Sequence, residues 1–474
     1  MNSIVEKVER VNNVIVGLSS NIIGNLILFL TTIYITNNVS EDVYGQFRLV
    51  FVFVSILVIV LMMGRDSSIL YYYQKEKSDR VVIEEAFSGA FLVLVGCVLL
   101  YFLDDFFISN FLSGKVTLEN YHLSLLMLPL WSLYNLLTPV VRVKGLINCS
   151  FILSNLLQRI LRFPFLVLFL YAGYNNFPGL AWSMILSQAL LLMVLLFYLV
   201  RTLTWHPPLL RSFFTRFNYS FSLGINAIML TIAGKIDVLL LGKLSTTTNV
   251  AIYDIVTSLA IVALFPYIAL TKSFEPKLYG FFENEQLMKS YKNNISLSFT
   301  LTLMAGMFFI LFGHEILSLF GSTYTDGMSS FILLVVFYCA LSCWGGISEW
   351  MTMNGHAKYN FTFLIFCGAL NVALCFWFIP KWGILGATFS LGLSLITSKL
   401  LAFIFISRRH SALKLLVGLK QFLLLTASLL LAFYLNNNNF LAKSALYIMM
   451  VLLIISSEKM FRQKLTAILN RGSK

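Results

Sequence analysis

The sequence predicts an all-α polytopic membrane protein of about fourteen transmembrane helices, and three observations carry that prediction. Of its 474 residues 58% are hydrophobic and only 12% charged, against roughly 25% charged in soluble domains. The apolar residues gather into continuous runs of about 20, the length a helix needs to cross a hydrocarbon layer about 30 Å thick while satisfying its own backbone. The basic residues between the runs fall overwhelmingly on alternate loops, as the positive-inside rule requires.

The runs cover about 12–37, 43–65, 82–103, 120–141, 149–172, 177–200, 218–242, 250–271, 293–313, 328–348, 359–380, 383–406, 417–435 and 440–457. The first is too long for a signal-peptide core and lacks a small-residue cleavage site after it, so it reads as a retained helix. It carries Asn12, Asn13, Ser19, Ser20, Asn21 and Asn25, residues that join helix to helix or wet a cavity. The second ends in MMGRDSS, where Arg65 and Asp66 read as a helix-end pair at the interface. The fifth contains QRILRFPF, with Arg159 and Arg162 about midway along it. The seventh repeats the polar character of the first with Ser220, Ser222, Asn226 and Thr231, and adds Lys235 and Asp237; the eighth contains Asp254. In the tenth, Cys339 and Cys343 share a face at a spacing that suits neither zinc nor redox chemistry, which leaves packing. Lys399 of the twelfth is long enough to snorkel inward.

With fourteen spans both termini share a side. Of 34 lysines and arginines, 24 lie in loops on the side of the termini and four on the other, which places both termini in the cytoplasm. Anionic lipid beside that face accounts for the net charge of +13, with no need of nucleic acid. The loops are too short for a soluble ATPase or catalytic domain, no phosphate-binding loop motif is present, and runs this long exclude an outer-membrane barrel. No metal or other cofactor is implied.

A charge at mid-depth costs at least about 2.5–3.5 kcal/mol, so those that persist face a partner or a wet cavity. Arg159 and Arg162, three apart, share a helix face. A guanidinium grips phosphate through a bidentate fork, so the pair suits a diphosphate; pairing with acids of neighbouring helices is the competing reading. Asp237 and Asp254 could carry a coupling proton or sodium ion, or pair with Lys235.

The stretch after the first span, SEDVYGQFR (40–48), aligns with STTTNVAIYD (245–254) after the seventh, placing Gly45 opposite Ala251 and Arg48 opposite Asp254. Six spans separate the copies, so the halves read as parallel repeats.

Three stretches resemble the polysaccharide-unit flippases of bacterial inner membranes, in the superfamily that includes multidrug extruders and lipid II flippases. They are VSEDVYGQFRLVFVFVSILVIVLMMGRDSSILYYY (39–73), KIDVLLLGKLSTTTNVAIYDIVTSLAIVALFPYIALTKSFEPKL (235–278), and NGHAKYN with LNVALCFWFIPKWGILGATFSLGLS (354–360 and 370–394). The resemblance implies two parallel six-helix lobes around a central cavity, residues 1–216 and 217–410, followed by two further helices and a cytoplasmic tail, 411–474. It implies translocation of undecaprenyl-diphosphate-linked oligosaccharide from the cytoplasmic to the periplasmic leaflet by alternating access, in O-antigen, lipopolysaccharide or related polysaccharide synthesis. Arg48, Arg159, Arg162 and Lys235 would meet the diphosphate, and a polymerase and chain-length regulator would be partners. The first span has no basic residue in its membrane portion, unlike lipid II flippases, which argues against lipid II. A drug or cation antiporter of the same superfamily would need an acidic cavity, which the basic excess disfavours. A membrane polysaccharide polymerase would need a large loop, and the longest, about 104–119, is too short.

Overall fold

The bilayer's demand that every backbone group be satisfied within its own segment is met by helices alone. A computed structural model describes residues 2–204, 206–207, 210–275, 278, 285–408, and Lys443, Ser444, Tyr447 and Ile448. Among them, eleven helices are long and apolar enough to cross a membrane, and a twelfth span arises if a pair bent by 50°, Thr247–Ala263 and Phe265–Phe274, is taken as one. These correspond in order to the first twelve runs of the sequence. The thirteenth and fourteenth runs, apart from the four residues named, and Pro276 lie outside the described residues.

The chain divides into two compact units, Met1–Ala251 and Ile252–Lys474. The first opens with α1 (Asn2–Asn38), α2 (Glu41–Met62), α3 (Arg65–Glu76), α4 (Asp79–Phe102), α5 (Asp104–Asn110), α6 (Leu118–Leu125) and α7 (Met127–Val143). The fifth span follows as α8 (Ile147–Phe151), a π-helical turn (Ile152–Leu157) and α9 (Gln158–Tyr171); α10 (Phe177–Thr202) and α11 (Leu210–Leu244) complete the unit. Helix starts carry the expected caps: the Ser78, Thr117 and Asn176 side chains accept from the amides of Arg80, Asn120 and Gly179. At the other end of α11, Lys115 donates to the Gly242 and Ser245 carbonyls, a cation where the helix dipole favours one.

The second span is broken. Met63 (φ 47°) and Gly64 (φ 73°) both adopt left-handed geometry between α2 and α3. Glycine is required at 64 twice over, because a Cβ there would strike the Ser220 carbonyl and the Gly224 backbone of α11. Two main chains therefore pass in contact, and α11 packs on α2 and α3. Aromatic rings fill the core elsewhere: Phe47 meets Phe177 edge-on at 6.0 Å, and Phe51 stacks on Trp131 at 5.0 Å.

The second unit comprises most of α12 (Thr247–Ala263), α13 (Phe265–Phe274), α14 (Glu285–Leu311), α15 (Gly313–Ser318), α16 (Met328–Ser342), α17 (Ile347–Met353), α18 (Ala357–Trp382) and α19 (Ile384–Ser407). Its core gathers Leu278, Tyr291, Ile295, Ile347, Trp350, Met351, Ala402 and Ile406. Cys339 and Cys343 are buried in α16 and its end, Cys339 against Gly306. The eighth span is interrupted too, at Leu264, which keeps right-handed geometry where Met63 and Gly64 of the second are left-handed. Likewise α1 and α11 each give way, across two residues, to the helix that follows, at 39–40 and at 245–246.

Candidate functional site

The fifth span positions the two arginines. Its most apolar window is only 6% buried, the lowest value among the spans, and most residues of α9 are half-buried or exposed. The π-helical turn just before it admits an extra residue into the turn, a distortion found frequently at functional sites. Pro164, inside α9, removes one further backbone donor a turn later.

Arg159 Nη1 donates to Asn25 Oδ1 at 2.6 Å, and Asn25 Nδ2 in turn donates to Asn21 Oδ1 at 3.1 Å. The asparagines of the first span thus solvate a guanidinium. Gly24 lets α1 approach: a Cβ there would overlap the Asn155 carbonyl and come within 3.0 Å of Arg159 Nη1. Gln158, next in line, donates to Gln188 Oε1 at 2.9 Å.

Arg162 lies over the face of Phe47, 5.6 Å from the ring centre, and Arg48 over Phe51 at 5.0 Å. The two guanidiniums are near enough for their charges to repel. Arg162 Nε is buried and has no hydrogen-bond partner among the described residues. No described carboxylate forms an ion pair with Arg159 or Arg162. Aromatic faces and amide oxygens stabilise a cation without cancelling its charge. The ensemble is an electropositive surface built from α1, α2 and α9.

Lys235 of α11 donates to Ser55 Oγ at 2.8 Å. Ser55 lies seven residues beyond Arg48 on the same face of α2, two turns or about 10 Å away. Asp237 is 2% exposed and accepts from the amide of Val238 at 2.9 Å. Asp254, 6% exposed, lies in the second unit. The structure brings Arg48 and Arg162 together, with Arg159 one turn before Arg162 on α9.

One expectation is corrected. Arg65 and Asp66 do not pair with each other. Arg65 is wholly buried and binds Glu85 Oε2 at 2.9 Å, which also accepts the Ser68 hydroxyl at 2.7 Å. Around it Arg216 reaches Glu84 at 3.0 Å and Glu76 at 3.1 Å, and Arg80 reaches Glu84 at 3.0 Å. Three arginines and three glutamates so balance one another and join α3, α4 and α11. Lys399 donates to Ser348 Oγ, at the end of the tenth run, at 2.9 Å and sits 4.0 Å from Glu349. Glu349 falls just past the end of the tenth apolar run, outside the stretch that hydropathy marks.

A bundle of long apolar helices, several of them interrupted, with no described acid paired to Arg159 or Arg162 inside it, is the build of a membrane transporter, and comparisons with known structures agree on the fold. The chain is similar to the lipid II flippase MurJ in an inward closed conformation (TM-score 0.69, 16% identity, 96% of this chain and 100% of that one). It is also similar to an inward-facing multidrug resistance MATE family transporter of the MOP superfamily (TM-score 0.65, 18% identity, 84% and 98%). A MOP superfamily transporter from Pyrococcus furiosus, described as having a binding pocket of reverse polarity, matches with TM-score 0.56 and 20% identity over 85% of this chain and 94% of that one. The fold is the MOP type. A search of curated protein sequences finds no match. The family described as polysaccharide biosynthesis protein matches residues 11–273, more than half of the chain, and the chain belongs to that family.

Proposed function

We propose that this protein moves an undecaprenyl-diphosphate-linked oligosaccharide unit from the cytoplasmic to the periplasmic leaflet of a bacterial inner membrane by alternating access. The observation that supports it best is the cluster of Arg48, Arg159 and Arg162, held on rings and amides, with no described acid paired to Arg159 or Arg162. Such a cluster favours an anion that accepts several charge-assisted hydrogen bonds, and a diphosphate does so. Membership of a polysaccharide biosynthesis family supports a sugar-bearing cargo. No covalent step is needed. The protein replaces the water around a charged, hydroxyl-rich headgroup with fixed donors, while the polyprenyl chain stays in lipid. A cation antiporter would instead place a carboxylate beside this cluster.

The test replaces Arg159 and Arg162 singly with alanine and with lysine, and measures surface polysaccharide in a flippase-null strain at matched protein levels. Alanine is expected to remove the polymer, and lysine, which keeps the charge and loses the fork, to restore it partly. Normal polymer from all four variants would sink the proposal.

A further inference from the structure

The break between α2 and α3 opens a cavity of about 360 Å³ within the first unit, at the inner end of the second span. Its polar lining comes from three elements: Asp66 and Ser67 at the start of α3, Asn135, Thr138 and Arg142 along α7, and Ser154 in the π-helical turn. Gly64 of the break and Pro139 within α7 both line it. Discontinuous membrane helices are where transporters build their binding sites.

The polar groups are of mixed kind, and their commitments differ. Asp66 makes no ion pair among the described residues. Arg142 commits its Nε to Ser150 Oγ at 2.9 Å and lies over Phe151 at 5.1 Å. Thr138 and Ser154 donate to the carbonyls of Tyr134 and Ser150, which leaves their oxygens as acceptors. Asn135 offers both an amide donor and an acceptor.

A bare anion would face Asp66, and a bare cation would face Arg142. A hydroxyl both donates and accepts, and a set containing a carboxylate, an amide, a guanidinium and accepting hydroxyls satisfies several hydroxyls at once. The volume falls in the roughly 300–1,000 Å³ range of small-molecule sites, enough for part of a headgroup and too little for a polyprenyl chain. Ser154 lies in the same span as Arg159, five residues before it.

We infer that this cavity is a carbohydrate subsite, in which Asp66 and Asn135 hold hydroxyls of the sugar while the arginines hold the diphosphate. The inference rests on the reading of the cargo as a lipid-linked diphosphate sugar.

The experiment uses the full chain in lipid nanodiscs and two probes: bare undecaprenyl diphosphate, and the lipid-linked unit extracted from the complemented flippase-null strain. The wild type is expected to bind the sugar-bearing lipid more tightly. Asp66→Asn and Asn135→Ala should each erase that preference, by about tenfold to a hundredfold for a lost charge-assisted bond to Asp66, while leaving affinity for the bare lipid unchanged. Arg159→Ala and Arg162→Ala should weaken both probes by the same factor. If Asp66→Asn fails to fold, Asn135→Ala on the opposite wall carries the test. The subsite is overturned if the wild type shows no preference, or if the variants keep it. If the arginine variants bind both probes normally while Asp66→Asn loses the preference, the diphosphate reading falls and the subsite stands.

Discussion

Glu85→Ala should be among the most destabilising single substitutions in the first unit. Arg65 and Glu85 are 0% and 1% exposed and 2.9 Å apart, a separation worth about 6 kcal/mol at an effective dielectric of 20. Taking both ions out of water costs several kcal/mol each, so the pair as a whole contributes little. Removing one member is different. Without Glu85, Arg65 keeps its burial cost and loses its carboxylate, and the Ser68 hydroxyl loses its acceptor; the expected cost is about 3–5 kcal/mol. Arg65→Met should cost less, about 2–3 kcal/mol, because Glu85 retains Ser68 and has Arg216 3.8 Å away. The double variant should recover much of the loss, giving a coupling of at least about 2 kcal/mol. Purified single and double variants in mixed micelles, unfolded by a denaturing detergent and followed by circular dichroism, supply the cycle. Costs that add within about 0.5 kcal/mol would refute the claim that the pair acts as a buried unit.

Other expectations follow from the same geometry. Gly24→Ala should lower stability by about 1–3 kcal/mol through overpacking and reduce polymer in the complementation assay, because it pushes α1 off Asn155 and Arg159; a variant with normal stability and normal polymer would show that the close approach is unimportant. Gly64→Ala meets both a positive φ and the backbone of α11, so folded yield in membranes should drop sharply, and normal yield would refute that contact. Lys115→Met should cost about 1 kcal/mol by uncapping α11, read from the same detergent unfolding, with no change counting against the cap. Uptake of labelled lipid-linked unit into proteoliposomes should accelerate under a proton or sodium gradient and lose that acceleration in Asp237→Asn or Asp254→Asn; equal rates with and without gradients would remove both carboxylates from coupling.

The helical spans were legible because hydrocarbon enforces a length and an apolar character that composition displays directly. Arg159 and Arg162 stood out for the same reason, since a charge inside such a run has no cheap explanation. The interruption at Met63–Gly64 was hidden because α2 and the start of α3 share one hydrophobic run, and Met63 is not a residue that announces left-handed geometry. Arg65 was assigned to its sequence neighbour, whereas its partner, Glu85, is 20 residues away on the next helix. Glu349 was overlooked because it follows the tenth run, yet α17 carries it to within 4.0 Å of Lys399. Pairings of this kind depend on which helix faces which, and hydropathy holds no such information. The π-helical turn leaves no periodic mark at all.

That turn has a consequence for how the protein tolerates insertion and deletion. The turn holds one residue more than ordinary winding needs, so deleting one residue within Ile152–Leu157 would relax it to α-helix while Arg159 and Arg162 keep nearly their present aim. A one-residue deletion in ordinary α-helix, by contrast, rotates everything beyond it by about 100°. The turn therefore acts as a buffer in the fifth span: it can give up its extra residue and the guanidiniums beyond it still face the same way.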